Sequence, residues 1–135
     1  MRKLLVLLLL ALSIPALAQS PLVPGMTPVS CFVENVTATT QCFVAPVAPF
    51  RIYITALILS NEATTAQSIQ IVSGTGTNCG TGVAAVTHKI AMVTAIGSVT
   101  SGAPTVFVVA PGQAVCLSPT NATAFGASLT GYIAP

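Results

Sequence analysis

Charge is what this 135-residue chain has least of: 4% of its residues are ionic, against roughly a quarter in an average soluble domain. Arg2, Lys3, Arg51 and Lys89 face only Glu34 and Glu62, and there is no Asp, no Trp and a single His. A Lys/Arg footprint for nucleic acid is missing, so nucleic-acid binding is excluded. Disorder of the polar, charge-rich kind is excluded by a 53% apolar content. Most acid–base chemistry and hard-metal binding lack the carboxylates they require. The remaining class is a small, apolar, nearly uncharged domain.

The N-terminus reads Met1-Arg2-Lys3, an apolar run from Leu4 to Leu12, Pro15, then Ala16-Leu17-Ala18 before Gln19. A basic start, a short apolar stretch and a small-x-small site predict a secretory signal peptide over residues 1–18. The run is shorter than the ~20 residues of a membrane span. Gly, Pro and polar residues interrupt every later apolar run, so no span is expected after cleavage. Residues 19–135 keep Arg51, Lys89, Glu34 and Glu62, and their formal charge is zero. Surface polarity then rests on seventeen Thr and nine Ser. The expected location is secreted, periplasmic or extracellular.

Four cysteines, Cys31, Cys42, Cys79 and Cys116, form an even set in an exported chain and predict two disulfides. Their spacings of 11, 37 and 37 contain no close pair of the kind zinc uses. Val29–Val33 and Thr40–Val44 read as the arms of a hairpin joined by Cys31–Cys42. Alternation then places Val29, Cys31, Val33, Thr40, Cys42 and Val44 on the core face, with Phe32 and Phe43 on the other. Cys79 and Cys116 remain to pair, tying a glycine-rich loop to a later strand.

Residues 19–28 carry three prolines and read as an extended arm. A single all-β domain is expected over residues 29–135. Arg51–Leu59, β-branched and apolar on both faces, predicts a central strand with both faces covered. Ser60–Ala63 reads as a turn, and Thr65–Val72 as a strand with Ile69 and Ile71 on one face. Further strands are expected near Val83–Val86, Lys89–Ala95, Thr105–Val109, Gln113–Leu117 and Ala122–Ile133. Gly126 and Gly131 mark a bulge or corner in the last of these. Ser98–Pro104, Pro111-Gly112 and Pro119–Asn121 read as turns. Val83–Ile96 carries the best helix signal, but its Val, Thr and Ile content favours strands. Eight or nine short strands with regular turns predict a two-sheet β-sandwich with jelly-roll-like connections.

The candidate sites are few. Gly80-Thr81-Gly82-Val83-Ala84-Ala85 matches a loose dinucleotide fingerprint, but no acidic residue follows Glu62 to hold a ribose. His88 has only Glu34 and Glu62 as carboxylates to orient it, too little for a triad. Those two glutamates meet the minimum for glycoside hydrolysis, yet no aromatic platform accompanies either. Asn35-Val36-Thr37 and Asn121-Ala122-Thr123 are formal glycosylation sequons in expected turns. No catalytic, cofactor-binding or metal residue is assigned, no cofactor is expected, and the chain reads as non-enzymatic.

Arg51-Ile52-Tyr53-Ile54, the run Val72–Gly82 ending in Asn78-Cys79-Gly80-Thr81-Gly82, Ala110–Ser118 around Cys116, and a closing strand at Gly131-Tyr132 carry a resemblance. It covers about 85 residues of this chain and is to small β-sandwich structural proteins of tailed phages and environmental bacteria. The resemblance implies a Cys79–Cys116 disulfide and a virion-type or surface structural role without catalysis. The chain departs from that group in its signal peptide and in Cys31 and Cys42, which favours a cellular, exported version. The expected function is therefore a secreted structural or surface-assembly protein, with a homo-oligomer or surface assembly as partner. The alternative is a binding module that recognises a glycan or protein through sandwich loops, favoured if Ser98–Pro104 and Gly74–Gly82 cluster at one end.

Overall fold

The computed structural model describes residues 25–92 and 98–135, with side chains outside 98–106. The expected signal peptide over residues 1–18, residues 19–24 of the expected arm and residues 93–97 lie outside the described residues. Nine strands and one short 3₁₀ turn follow in order: β1 Thr27–Val36, β2 Thr40–Phe43, β3 Arg51–Asn61, β4 Gln67–Thr75, the turn Thr77–Cys79, β5 Thr81–Ala85, β6 Ile90–Met92, β7 Ser98–Val108, β8 Ala114–Pro119 and β9 Phe125–Ala134. The described residues form no α-helix, so Val83–Met92 takes the strand alternative.

Two antiparallel sheets result. One runs β1-β9-β3-β7; the other runs β2-β8-β4-β5, with β6 also paired to β4. Between them lies one core, in which Ile52, Ile54, Leu57 and Leu59 of β3 meet Ile69 and Ile71 of β4, Val115 and Leu117 of β8, and Phe125 and Leu129 of β9. The period-two alternation of these strands is what places the side chains there.

The predicted hairpin is corrected. β1 pairs with β9 and β2 with β8, so Cys31 and Cys42 belong to different sheets. Their disulfide, with Cα atoms 5.5 Å apart, staples one sheet to the other across a corner. The pairing of cysteines is as expected; only its setting differs. The register of β2 on β8 shifts between Gln41 and Phe43. That irregularity turns Phe43 into the core at 5% exposure and leaves Val44 74% exposed, the reverse of the alternation expected for a regular arm. Phe32, as expected, faces outward.

Other expectations shift by smaller amounts. Thr27 and Pro28 belong to β1, paired with Ile133 and Tyr132, rather than to the arm. β3 runs on through Asn61, and β4 runs through Thr75 into the glycine-rich segment. Ser98–Pro104 is strand, not turn: Ser98–Gly102 pairs with Ala56–Ser60. The register then jumps from Gly102 to Phe107, and Pro104 falls inside the jump, where no ladder bond is required of it. β3 is central as expected, between β9 and β7, but among the described residues only its inner face is covered, not both. Ile58 on its outer face is 45% exposed.

Gly131 marks a real irregularity. The register of β3 against β9 slips between Ile54 and Ala56, so Thr55 is the extra residue opposite the Gly131–Thr130 step. The bulge presses the Tyr53 carbonyl so close that a Cβ on Gly131 would collide with it. Gly131→Ala is expected to lower stability by about 1–3 kcal/mol through strain at a packed site. Chemical denaturation reads that loss directly.

Candidate functional site

The glycine-rich segment folds back over the outer face of the second sheet. There Val72, Ala114 and Cys116 are buried beneath Cys79. The Cys79–Cys116 disulfide, with Cα atoms 6.2 Å apart, pins this flap. Asn78 adds a second tie, its side-chain oxygen accepting the Gln41 backbone N–H at 3.1 Å. Gly74 is required because a Cβ there would stand 3.0 Å from the Cys79 Cβ and from the Cys79 and Thr81 carbonyl oxygens. The segment leads into strand β5 rather than a helix, so no helix N-terminus faces a phosphate. Its glycines close a stapled turn.

His88 and Lys89 are exposed, as expected, in the connection between β5 and β6. Both strands pair with β4, and the interruption between them is sealed without a ladder. The Val86 and Thr87 N–H groups both donate to the Ile71 carbonyl, at 2.9 and 3.2 Å. The Thr87 hydroxyl oxygen accepts the Ile71 N–H at 3.1 Å, and the Gln70 side-chain amide donates to the Thr87 carbonyl at 2.8 Å. Beside this interruption, where the two sheets part, lies a cleft of about 480 Å³. Leu57, Val86, Ile90 and Phe107 form its apolar walls, with Gln70, Thr87 and His88 as its polar groups. Sequence reasoning singled out His88 but not the cleft, whose walls come from β3, β4, β6, β7 and the connection between β5 and β6.

The two glutamates have structural settings. The Glu62 carboxylate accepts the Asn35 N–H at 2.7 Å, where Asn35 has a φ of 53°. A Cβ on Gly126 would collide with the same carboxylate and crowd the Ser60 hydroxyl, so the glycine gives the Glu62 side chain its path across the sheet. That bond ties the end of β1 to the β3–β4 turn, a holding role. No three His, Cys, Asp or Glu side chains among the described residues converge on a metal position. All four cysteines are in disulfides.

Two further features escaped the sequence. Asn61 and Gln67 are buried amides at one end of the sandwich: the Gln67 amide donates to the Asn61 side-chain oxygen at 3.1 Å and to the Ala124 carbonyl at 3.0 Å. Thr123 donates to the Gln67 side-chain oxygen at 2.8 Å, which commits the second sequon's hydroxyl to the fold. The closely spaced Asn61 and Gln67 around a turn were the available signal. The second feature is the pair Tyr53 and Tyr132, stacked at 4.8 Å between ring centroids with planes 11° apart. They are neighbours in the β3–β9 register on the outer face of the first sheet.

Comparison with protein-family models, with curated proteins and with solved structures finds no match for this chain.

Proposed function

We propose that this chain is an exported, non-enzymatic structural or surface-assembly protein. The observation that carries the reading is an apolar exterior without a charged guard. Phe32, Val44, Val47, Ile58, Val83 and Val108 are all exposed, while residues 19–135 hold four formal charges. Charged residues are the usual protection of sheet edges and faces against association. Two disulfides support an oxidising compartment, in line with the N-terminal sequence pattern. The strand order, with β1-β9-β3-β7 facing β2-β8-β4-β5, supports jelly-roll connectivity, because successive strands cross between the sheets at every step except β4 to β5 and β5 to β6. Sedimentation velocity on residues 19–135, from micromolar to millimolar concentration, tests the reading. Concentration-dependent growth beyond the monomer is the expected result; a monomer throughout removes the assembly role.

A second reading, a binding module, is favoured by one observation, the apolar cleft beside His88. Its volume falls in the range of small-molecule sites. Ser98–Pro104 lies in strand β7 and does not form a binding loop beside Gly74–Gly82. Ligand-observed NMR against a glycan and small-molecule panel tests it, with loss of any signal in His88→Ala locating the site.

A further inference from the structure

We infer that the outer face of the β1-β9-β3-β7 sheet is a self-association surface whose partner is a second copy of this chain, packed face to face with its strands reversed. The inference rests on the assembly reading and names the surface that serves it.

The face is built in rows that the register defines. At one end, Pro28, Tyr132, Tyr53 and Val108 lie side by side across the four strands. A row of small side chains, Ser30, Thr130 and Ala56, comes next. Phe32, Ser128 and Ile58 follow, with Phe32 69% exposed. Two apolar rows therefore flank a flat polar one, and neither is covered by another element of the described chain.

Charge sets the orientation. Arg51 stands at the tyrosine end of the face, two residues before Tyr53 and on the same side of β3. Glu34 stands at the other end, two residues beyond Phe32 on β1, and Glu62 lies beside it over Gly126. Three of the four formal charges after Ala18 thus sit at opposite ends of one sheet face, about 30 Å apart at ~3.4 Å per residue. A two-fold axis in the plane of the face and perpendicular to the strands brings the Arg51 end of each copy over the Glu34 and Glu62 end of the other. The same operation lays the tyrosine row of one copy on the Phe32 and Ile58 row of its partner. Parallel stacking would instead oppose like charges at both ends.

The area is adequate. Four strands about 4.8 Å apart and about ten residues long give a flat footprint of about 650 Å². A standard stable interface buries about 800 Å² on each partner, which the corrugated surface of such a face approaches. Sheet faces pack in this manner about 10 Å apart, with strands within about 30° of alignment.

Sedimentation equilibrium on residues 19–135 and on surface variants tests the inference, with thermal unfolding confirming that each variant folds. Ile58→Glu and, separately, Val108→Glu are expected to weaken the dimer by more than about tenfold. Arg51→Glu is expected to weaken it by about tenfold, and the paired Arg51→Glu, Glu34→Arg exchange to restore part of the loss, since Glu62 remains at that end. Added salt weakens the wild type and the exchanged pair alike. If the wild type associates and these variants associate equally, the face is wrong while assembly stands. If the wild type is monomeric at every concentration, the assembly reading falls and this inference with it.

Discussion

Replacing Cys79 and Cys116 together by alanine is expected to lower the free energy of unfolding by about 4 kcal/mol. The chain-entropy model assigns about that value to a loop of 37 residues and about 3 kcal/mol to the 11-residue loop closed by Cys31–Cys42. A further loss is expected from packing. Cys79 and Cys116 are both essentially inaccessible, and Cys79 is the lid over Val72 and Ala114. Removing the bridge releases the flap and exposes that cluster. Denaturant titration with and without reductant gives the loss. Amide exchange should show it concentrated at Thr77–Ala85 and along β8. Equal stability of the bridged and unbridged proteins would contradict the flap's role in closing the second sheet.

Phe43→Ala is expected to cost about 3–5 kcal/mol, and Phe32→Ala less than about 0.5 kcal/mol. The two residues sit in matching Cys-Phe-Val triplets, and a hairpin makes them equivalent. In the structure they differ fundamentally, because Phe43 is 5% exposed in the core and Phe32 is 69% exposed on the outer face. Equal losses in paired urea titrations would return β1 and β2 to one sheet; a large difference supports the cross-sheet staple.

That contrast also shows how far the residues alone could lead. The strand-rich class, the cysteine pairs and the core face of β4 were legible because they depend on composition and short-range alternation. Ile69 and Ile71 share the inward face as their spacing requires, whereas β3, apolar on both faces, gave no sign that Ile52 and Ile54 would be buried and Ile58 left open. The placement of β1 and β2 was not legible. A two-strand pattern linked by a short connection reads the same whether the chain turns back on itself or steps to a facing sheet. The bulge at Cys42 then breaks the alternation on which the assignment of Phe43 depended. Ser98–Pro104 misled for a related reason: Gly and Pro signal a turn locally, whereas pairing with β3 holds Ser98–Gly102 in a strand.

The site features divide in the same way. His88 and the glycine-rich segment were visible as residue types, and the segment's stapled-turn role followed from its lone cysteine. The cleft draws its walls from β3, β4, β6, β7 and the connection between β5 and β6, and the stacked tyrosines depend on the β3–β9 register. Both are long-range consequences of strand order. Tyr53 and Tyr132 are far apart in sequence, and only the register brings them together.

Those tyrosines supply the most direct measurement of the central claim. The chain has no Trp and only these two Tyr, so its intrinsic fluorescence comes from the outer face of the first sheet alone. Acrylamide, an uncharged quencher, reports how open that face is to solvent. Quenching across a dilution series is predicted to fall as concentration rises, with the same midpoint as association by sedimentation. Association without any change in tyrosine quenching would contradict the claim that this face joins the copies.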